Sequence, residues 1–124
     1  MNGQSINSYR DLGVWQDATT LAESCYRLTI EFPRDDGLTA HIRRAAVSVP
    51  ANIAERHGRE NTGSFVQHLR ISQGSLNELE THLLLAERVG ILAGMNAQQA
   101  LGQCESLGKM LRGLIRSLQD KLSK

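Results

Sequence analysis

Two groups of basic residues carry the clearest chemistry in this chain. Arg43, Arg44, Arg56 and Arg59 share one short segment, and Lys109, Arg112 and Arg116 step by three and then four, the spacing of one helix face. A guanidinium offers a planar fork of donors that matches a phosphate or a carboxylate. RNA or DNA is the partner such residues would take, through contacts to backbone phosphates. The competing reading is intramolecular. Glu55–Arg59, Glu105–Lys109 and Arg116–Asp120 are oppositely charged i,i+4 pairs that need no ligand.

Other chemistry is harder to build. Glu78 and His82 stand four apart and would share a metal on one helix face, but a surface or interface hydrogen bond is the simpler role. A carboxylate-bridged di-iron bundle needs two Glu-x-x-His pairs, and His41, His57, His68 and His82 make none. The segment from Gly58 to Ser64 has the outer glycine spacing of a phosphate-binding loop without its Lys, and no strand precedes it, so it reads as a turn between helices. No Gly-x-Ser-x-Gly elbow is present. Cys25 and Cys104 fit neither a zinc spacing nor a disulfide framework and lie on apolar seams, as buried core thiols do. The expectation is a protein that is not an enzyme, with no catalytic residue, metal or cofactor.

A third constellation is polar. Arg44, Ser48, Asn52, Glu55 and Arg59 run along one side of the second segment, and Ser75, Glu78 and His82 along one side of the third. If the two sides meet each other or a neighbouring subunit, Ser48, Asn52, Glu55, Ser75, Glu78 and His82 form a structural hydrogen-bonded network that fixes register. Otherwise they form an ordinary solvated face.

Four amphipathic segments must position these residues. In the first, Val14, Ala18, Leu21, Cys25, Leu28 and Phe32 alternate steps of four and three, which predicts a helix over about 12–32 with Asp11 as its N-cap and Pro33 ending it. Leu38, Ile42, Ala45, Ala46, Val49 and Ile53 predict a second helix over about 38–58. The apolar phase continues past Pro50, so one helix kinked at Pro50 is read, the alternative being two helices broken there. Phe65, Leu69, Ser72, Leu76, Leu79, Leu83 and Ala86 predict a third over about 62–89, capped by Asn61 or Thr62 and ended by Gly90. Asn96 and Gln99 resemble a capping box for a fourth over about 96–122, with Ala97, Leu101, Cys104, Leu107, Leu111, Leu114, Leu118 and Leu122 as its seam. Short turns between such segments make an all-α, antiparallel up-and-down four-helix bundle.

Composition agrees. The chain has 124 residues, enough for one domain over 1–124, with 17 Leu, 11 Ala, five aromatics and two Pro. The net charge of +1 excludes a uniformly basic polyanion binder. It is an uneven sum: residues 1–37 carry −3, 38–60 carry +2, 61–95 carry −1 and 96–124 carry +3. Repeated around a symmetric oligomer, the two basic helices would become rings of positive potential. Trp15, Ala22 and Tyr26 on the first helix, and Ile71, Leu84, Leu85 and Val89 on the third, exceed what one small core needs. That surplus points to self-association or a protein partner, against the alternative of scattered exposed side chains. No apolar run approaches a membrane span and the N-terminus shows no secretory h-region, so a cytoplasmic protein without membrane contact is expected.

Several strings are family-like. Tyr9-Arg10-Asp11-Leu12-Gly13-Val14-Trp15 resembles the opening of the 23S ribosomal RNA intervening-sequence proteins, also called the S23 family. Leu28-Thr29, Phe32-Pro33 and Gly37-Leu38 continue the resemblance, followed by its most specific stretch, Ile42-Arg43-Arg44-Ala45-Ala46-Val47-Ser48-Val49-Pro50-Ala51-Asn52-Ile53-Ala54-Glu55. Gly74-Ser75-Leu76-Asn77-Glu78-Leu79-Glu80-Thr81 is similar to a third motif. The resemblance implies a four-helix bundle assembled as a homopentameric ring. It extends to the accessory protein of diversity-generating retroelements, a pentameric barrel that engages nucleic acid and a reverse transcriptase, which adds a nucleic-acid-processing protein to the implied partners. The intervening-sequence branch has no assigned activity. Arg56 stands where the family usually has Gly, His41 where Gln is usual and Ser64 where an acidic residue is common, and the loop before Gly37 is about two residues short.

Overall fold

Residues 8–34, 37–55, 57 and 61–123 are described by the structure, a computed structural model. They form four helices, α1 (Gly13–Thr29), α2 (Gly37–Glu55), α3 (Thr62–Arg88) and α4 (Gly94–Leu122), with a 3₁₀ turn at Tyr9–Asp11 and no strand among the described residues.

α3 follows its sequence pattern most closely. The Asn61 side-chain oxygen accepts from the Ser64 N–H at 2.9 Å and caps the start. Phe65, Leu69, Ser72, Leu76, Leu79, Leu83 and Ala86 are all buried. At the other end Gly90 has φ +83°, a left-handed conformation open to Gly, and the Ile91 and Leu92 N–H groups fold back to the Ala86 carbonyl.

α1 starts and stops differently from expectation. Asp11 is not its N-cap; Leu12 is, without a side-chain cap. Asp11 belongs to the 3₁₀ turn, where its carboxylate accepts from the Ser8 N–H at 3.2 Å while the Ser8 hydroxyl accepts from the Arg10 N–H. That turn sets Tyr9 edge-on against Trp15, ring centroids 5.3 Å apart. α1 ends at Thr29 rather than at Phe32, although Phe32 remains buried. The Thr29 hydroxyl donates to the Cys25 carbonyl at 2.8 Å, one of the local bonds that close the last turn.

α2 runs unbroken through Pro50, burying Ile42, Ala45, Ala46, Val49 and Ile53, with Leu38 half-buried. Its expected extension to residue 58 falls largely outside the described residues. α4 begins at Gly94 with Ala93 as N-cap, so Asn96 and Gln99 lie inside the helix and make no capping box. Its buried line is Ala97, Ala100, Cys104, Leu107, Leu111 and Ile115, while Leu101, Leu114 and Leu118 are half-buried and Leu122 is 54% exposed. The cause is geometric: a straight helix drifts about 20° per heptad against a 3.5-residue seam, so over this length the core face rotates onto Ala100 and Ile115.

Neighbours in sequence are neighbours in space. α1 packs on α2 and α4, and α3 packs on α2 and α4, whereas the diagonal pairs α1/α3 and α2/α4 make no close backbone approach. His41 meets His82 while Ser48 meets Ser75, so α2 and α3 are antiparallel. A Cβ on Gly13 would touch Met110, whereas Ser24 meets Gln103, which makes α1 and α4 antiparallel too. The core between them is aliphatic. Leu21, Ile42, Val49, Ile53, Leu69, Leu79, Leu83 and Leu111 are essentially inaccessible, each contributing about 1.5–3 kcal/mol through burial.

Candidate nucleic-acid interface

The described basic residues of the predicted set do not converge on one face of the subunit. α2 and α4, the two basic helices, occupy opposite corners of the bundle. On α4, Lys109, Arg112 and Arg116 are all exposed. Lys109 pairs with Glu105 at 3.6 Å, with both side chains largely in water, an arrangement that adds little stability. Arg112 folds back, one terminal nitrogen 3.4 Å from where a Cβ on Gly108 would stand, beside a groove that Glu80 and Glu105 also line. Arg116 makes no ion pair with Asp120 or any other described residue.

On α2 the two described arginines differ. Arg44 is exposed and forms no ion pair with a described residue. Arg43 is half-buried and already employed: its Nε donates to the Thr29 hydroxyl at 2.8 Å, and its guanidinium carbon lies 4.8 Å from the Tyr26 ring centroid. It ties the end of α1 to the start of α2, a use of the Arg fork that its spacing alone does not reveal. Arg56 and Arg59 lie outside the described residues, and with Arg59 goes the expected pair to Glu55.

The polar residues come together in part. The Ser48 and Ser75 hydroxyls share a hydrogen bond of 2.7 Å across α2 and α3. The Asn52 amide donates to the Ser48 carbonyl at 2.9 Å and to its hydroxyl at 3.1 Å. His82 stacks on His41, centroids 5.0 Å apart and planes inclined by 23°. Glu55 and Glu78 are exposed and join no hydrogen bond or ion pair with described residues. Glu78 and His82 gather no further ligand, and no group of three or more metal-ligating side chains occurs among the described residues.

Two participants carry no such role in the sequence pattern. Ser72, which the spacing makes a packing position, is fully buried and donates to the Val49 carbonyl at 2.8 Å, one residue before Pro50. Pro50 has no N–H to offer the Ala46 carbonyl, and hydroxyls and an amide gather along this stretch of α2. A hydroxyl at a seam position opposite a proline-bearing helix is the sequence signal that finds it. His41 is the second, recognisable only once the register of α2 against α3 is known.

The thiols sit elsewhere. Cys25 and Cys104 are fully buried, and burial pushes each up to about 12. Charge on Cys25 and Glu80 adds to the effect at Cys104. Neither is a thiolate at neutral pH, so neither is poised as a nucleophile.

A family model described as 23S rRNA-intervening sequence protein matches residues 10–113. The chain belongs to that family. Among solved structures it is similar to a protein of unknown function from the S23 ribosomal protein family of Bacteroides thetaiotaomicron VPI-5482, at 21% identity, with a TM-score of 0.76 over 82% of this chain and 97% of that one. This likeness supports the four-helix fold. No curated protein matches the chain. No helix among the described residues is long and apolar enough to cross a membrane.

Proposed function

We propose that this protein is a non-enzymatic cytoplasmic bundle that assembles into a homopentameric ring, bends α2 at Pro50, and binds RNA or DNA through Arg-rich helix surfaces. The observation that carries the reading is the state of Arg44, Arg112 and Arg116: three exposed guanidiniums with no ion-pair partner among the described residues. A solvated Arg surface of this kind favours phosphates, and symmetric repetition multiplies its potential.

Titration of a structured RNA against salt tests it. Log affinity falls linearly with log salt, and replacing Lys109, Arg112 and Arg116 together with Ala lowers the slope by about 0.7–0.9 for each phosphate that is no longer neutralised. Absence of binding at low salt overturns the reading. A second reading, a protein-interaction scaffold or adaptor, is favoured by Ile71, Leu84 and Leu85 on α3 and Val89 at its C-cap, which stand 45–57% exposed. Sedimentation separates self-assembly from hetero-association: a mass of one 13.7 kDa subunit at micromolar concentration removes the ring.

A further inference from the structure

α1 and α4 are the least extensively packed neighbours in the bundle, and a cleft of about 370 Å³ opens between them. This is the small end of the range for ligand pockets, roughly 300–1,000 Å³, suited to one ring system rather than an extended ligand. One part of its wall is apolar, from half-buried Leu28 and buried Ala100. Half of the remaining lining residues are carboxamides, Asn96, Gln99 and Gln103. Asn96 and Gln99 are exposed and bond to no described residue, and Gln103 makes only a long contact of 3.4 Å to the Ser24 hydroxyl.

The charge in the cleft argues against phosphate. Arg27 lines it but is held by Glu23 at 2.7 Å, and Glu31, the other charged group there, is unpaired among the described residues. What remains is an apolar wall, free groups that donate and accept at once, and a carboxylate that accepts. A carboxamide pairs bidentately with the N6 and N7 edge of adenine, and a carboxylate accepts from an exocyclic amine. Single-stranded RNA presents such bases unstacked.

We infer that the α1·α4 cleft holds one unstacked adenine, its edge read by Gln99 and Gln103, its amine by Glu31, and its ring face laid against Leu28 and Ala100. The inference rests on the nucleic-acid reading for its source of bases, and gives a nearly neutral chain a means of choosing among sequences that its arginines do not supply. Phosphate contacts position a strand; base contacts specify it.

The test compares ten-residue oligoadenylate and oligouridylate by fluorescence anisotropy at one salt concentration, alongside amide NMR spectra with free adenosine. The expected result is binding of oligoadenylate tighter by about tenfold, the value of one good bidentate pair, with adenosine shifting the signals of Ala100 and Gln103. Gln99→Ala, at an exposed helix position, removes the preference and leaves oligouridylate affinity unchanged. Ala100→Leu, which fills the cleft, does the same and guards against an effect peculiar to one side chain. Equal affinity for the two oligomers overturns the cleft assignment and leaves the basic-surface reading standing. Failure of both oligomers while adenosine still shifts Ala100 and Gln103 overturns the basic-surface reading and supports the cleft. Failure of all three probes overturns both.

Discussion

Across the α2·α3 seam, hydroxyls and an amide meet between helices that pack extensively; across the α1·α4 seam, thiols and alanines meet beside an open cleft. Both seams bury their central residues, so burial alone does not separate them. The difference is directional. Ser48 with Ser75, and Ser72 with the Val49 carbonyl, make these bonds in one register only, because a slipped helix leaves Ser72 buried, and Ser48 and Ser75 half-buried, without these partners. Cys25, Cys104, Ala97 and Ala100 present no such demand and tolerate small shifts. The polar seam therefore specifies how its helices align, while the apolar one leaves room beside it.

Core deletions break this comparison most forcefully. Leu79→Ala, at the centre of α3, costs about 2–5 kcal/mol. Ala100→Val, beside the cleft, costs less than about 1 kcal/mol, because the added methyls have space. Denaturant midpoints that fall equally for both variants would show that the α1·α4 seam is as closely packed as its counterpart.

Alkali acts on the thiol seam. The folded thiols keep their protons to about 12, while in the unfolded chain they ionise from their ordinary value of 9.0. Above pH 9 the unfolded state binds fewer protons, so stability falls as pH rises, by about 1.4 kcal/mol per pH unit for each thiol until the folded value is reached. The stability contributed by the two neutral thiols is complete below pH 9. Unfolding of Cys25→Ala/Cys104→Ala measured at pH 8, 9 and 10 shows a flatter decline than the parent; identical slopes would mean that these thiols are accessible in the native fold.

The hydroxyls give a smaller, sharper signal. Ser72→Ala costs about 1 kcal/mol, as expected for one buried hydrogen bond. Ser48→Ala and Ser75→Ala are non-additive, coupled by about 0.5–1 kcal/mol in a double-mutant cycle. Additive effects would reduce the Ser48–Ser75 contact to coincidence. The smallest effect has the opposite sign. A Cβ on Gly102 or Gly113 meets nothing within 4 Å, so Gly102→Ala and Gly113→Ala each raise stability by about 0.5–1 kcal/mol. A decrease in either case places another surface against that part of α4.

The helices were legible because their apolar spacing is strong. Every seam position named on α3 is buried, and Asn61 and Gly90 end it as their chemistry requires. α4 was legible only as a helix. Its strict 3.5-residue reading selects Leu114, Leu118 and Leu122 where the core takes Ile115, since Leu abounds on both sides of the true line and the phase is ambiguous. The interface was less legible still. Arg43 and Arg44 are adjacent in sequence, yet one is bonded to Thr29 and the other is free of ion pairs, a distinction set by helix rotation. Nothing in the spacing of α2 or α4 announces that they stand at opposite corners. That fact follows from the order of packing around the bundle, and it decides whether two basic stripes add.

The contact between Tyr9 and Trp15 has a practical consequence for anyone who watches this molecule by its intrinsic emission. Trp15 is the sole indole, half-buried at the first turn of α1 and touched by the 3₁₀ turn. Its fluorescence reports whether that N-terminal turn is docked. A spectral transition at low denaturant would mark undocking of the turn, while circular dichroism at the same concentration would still record intact helices.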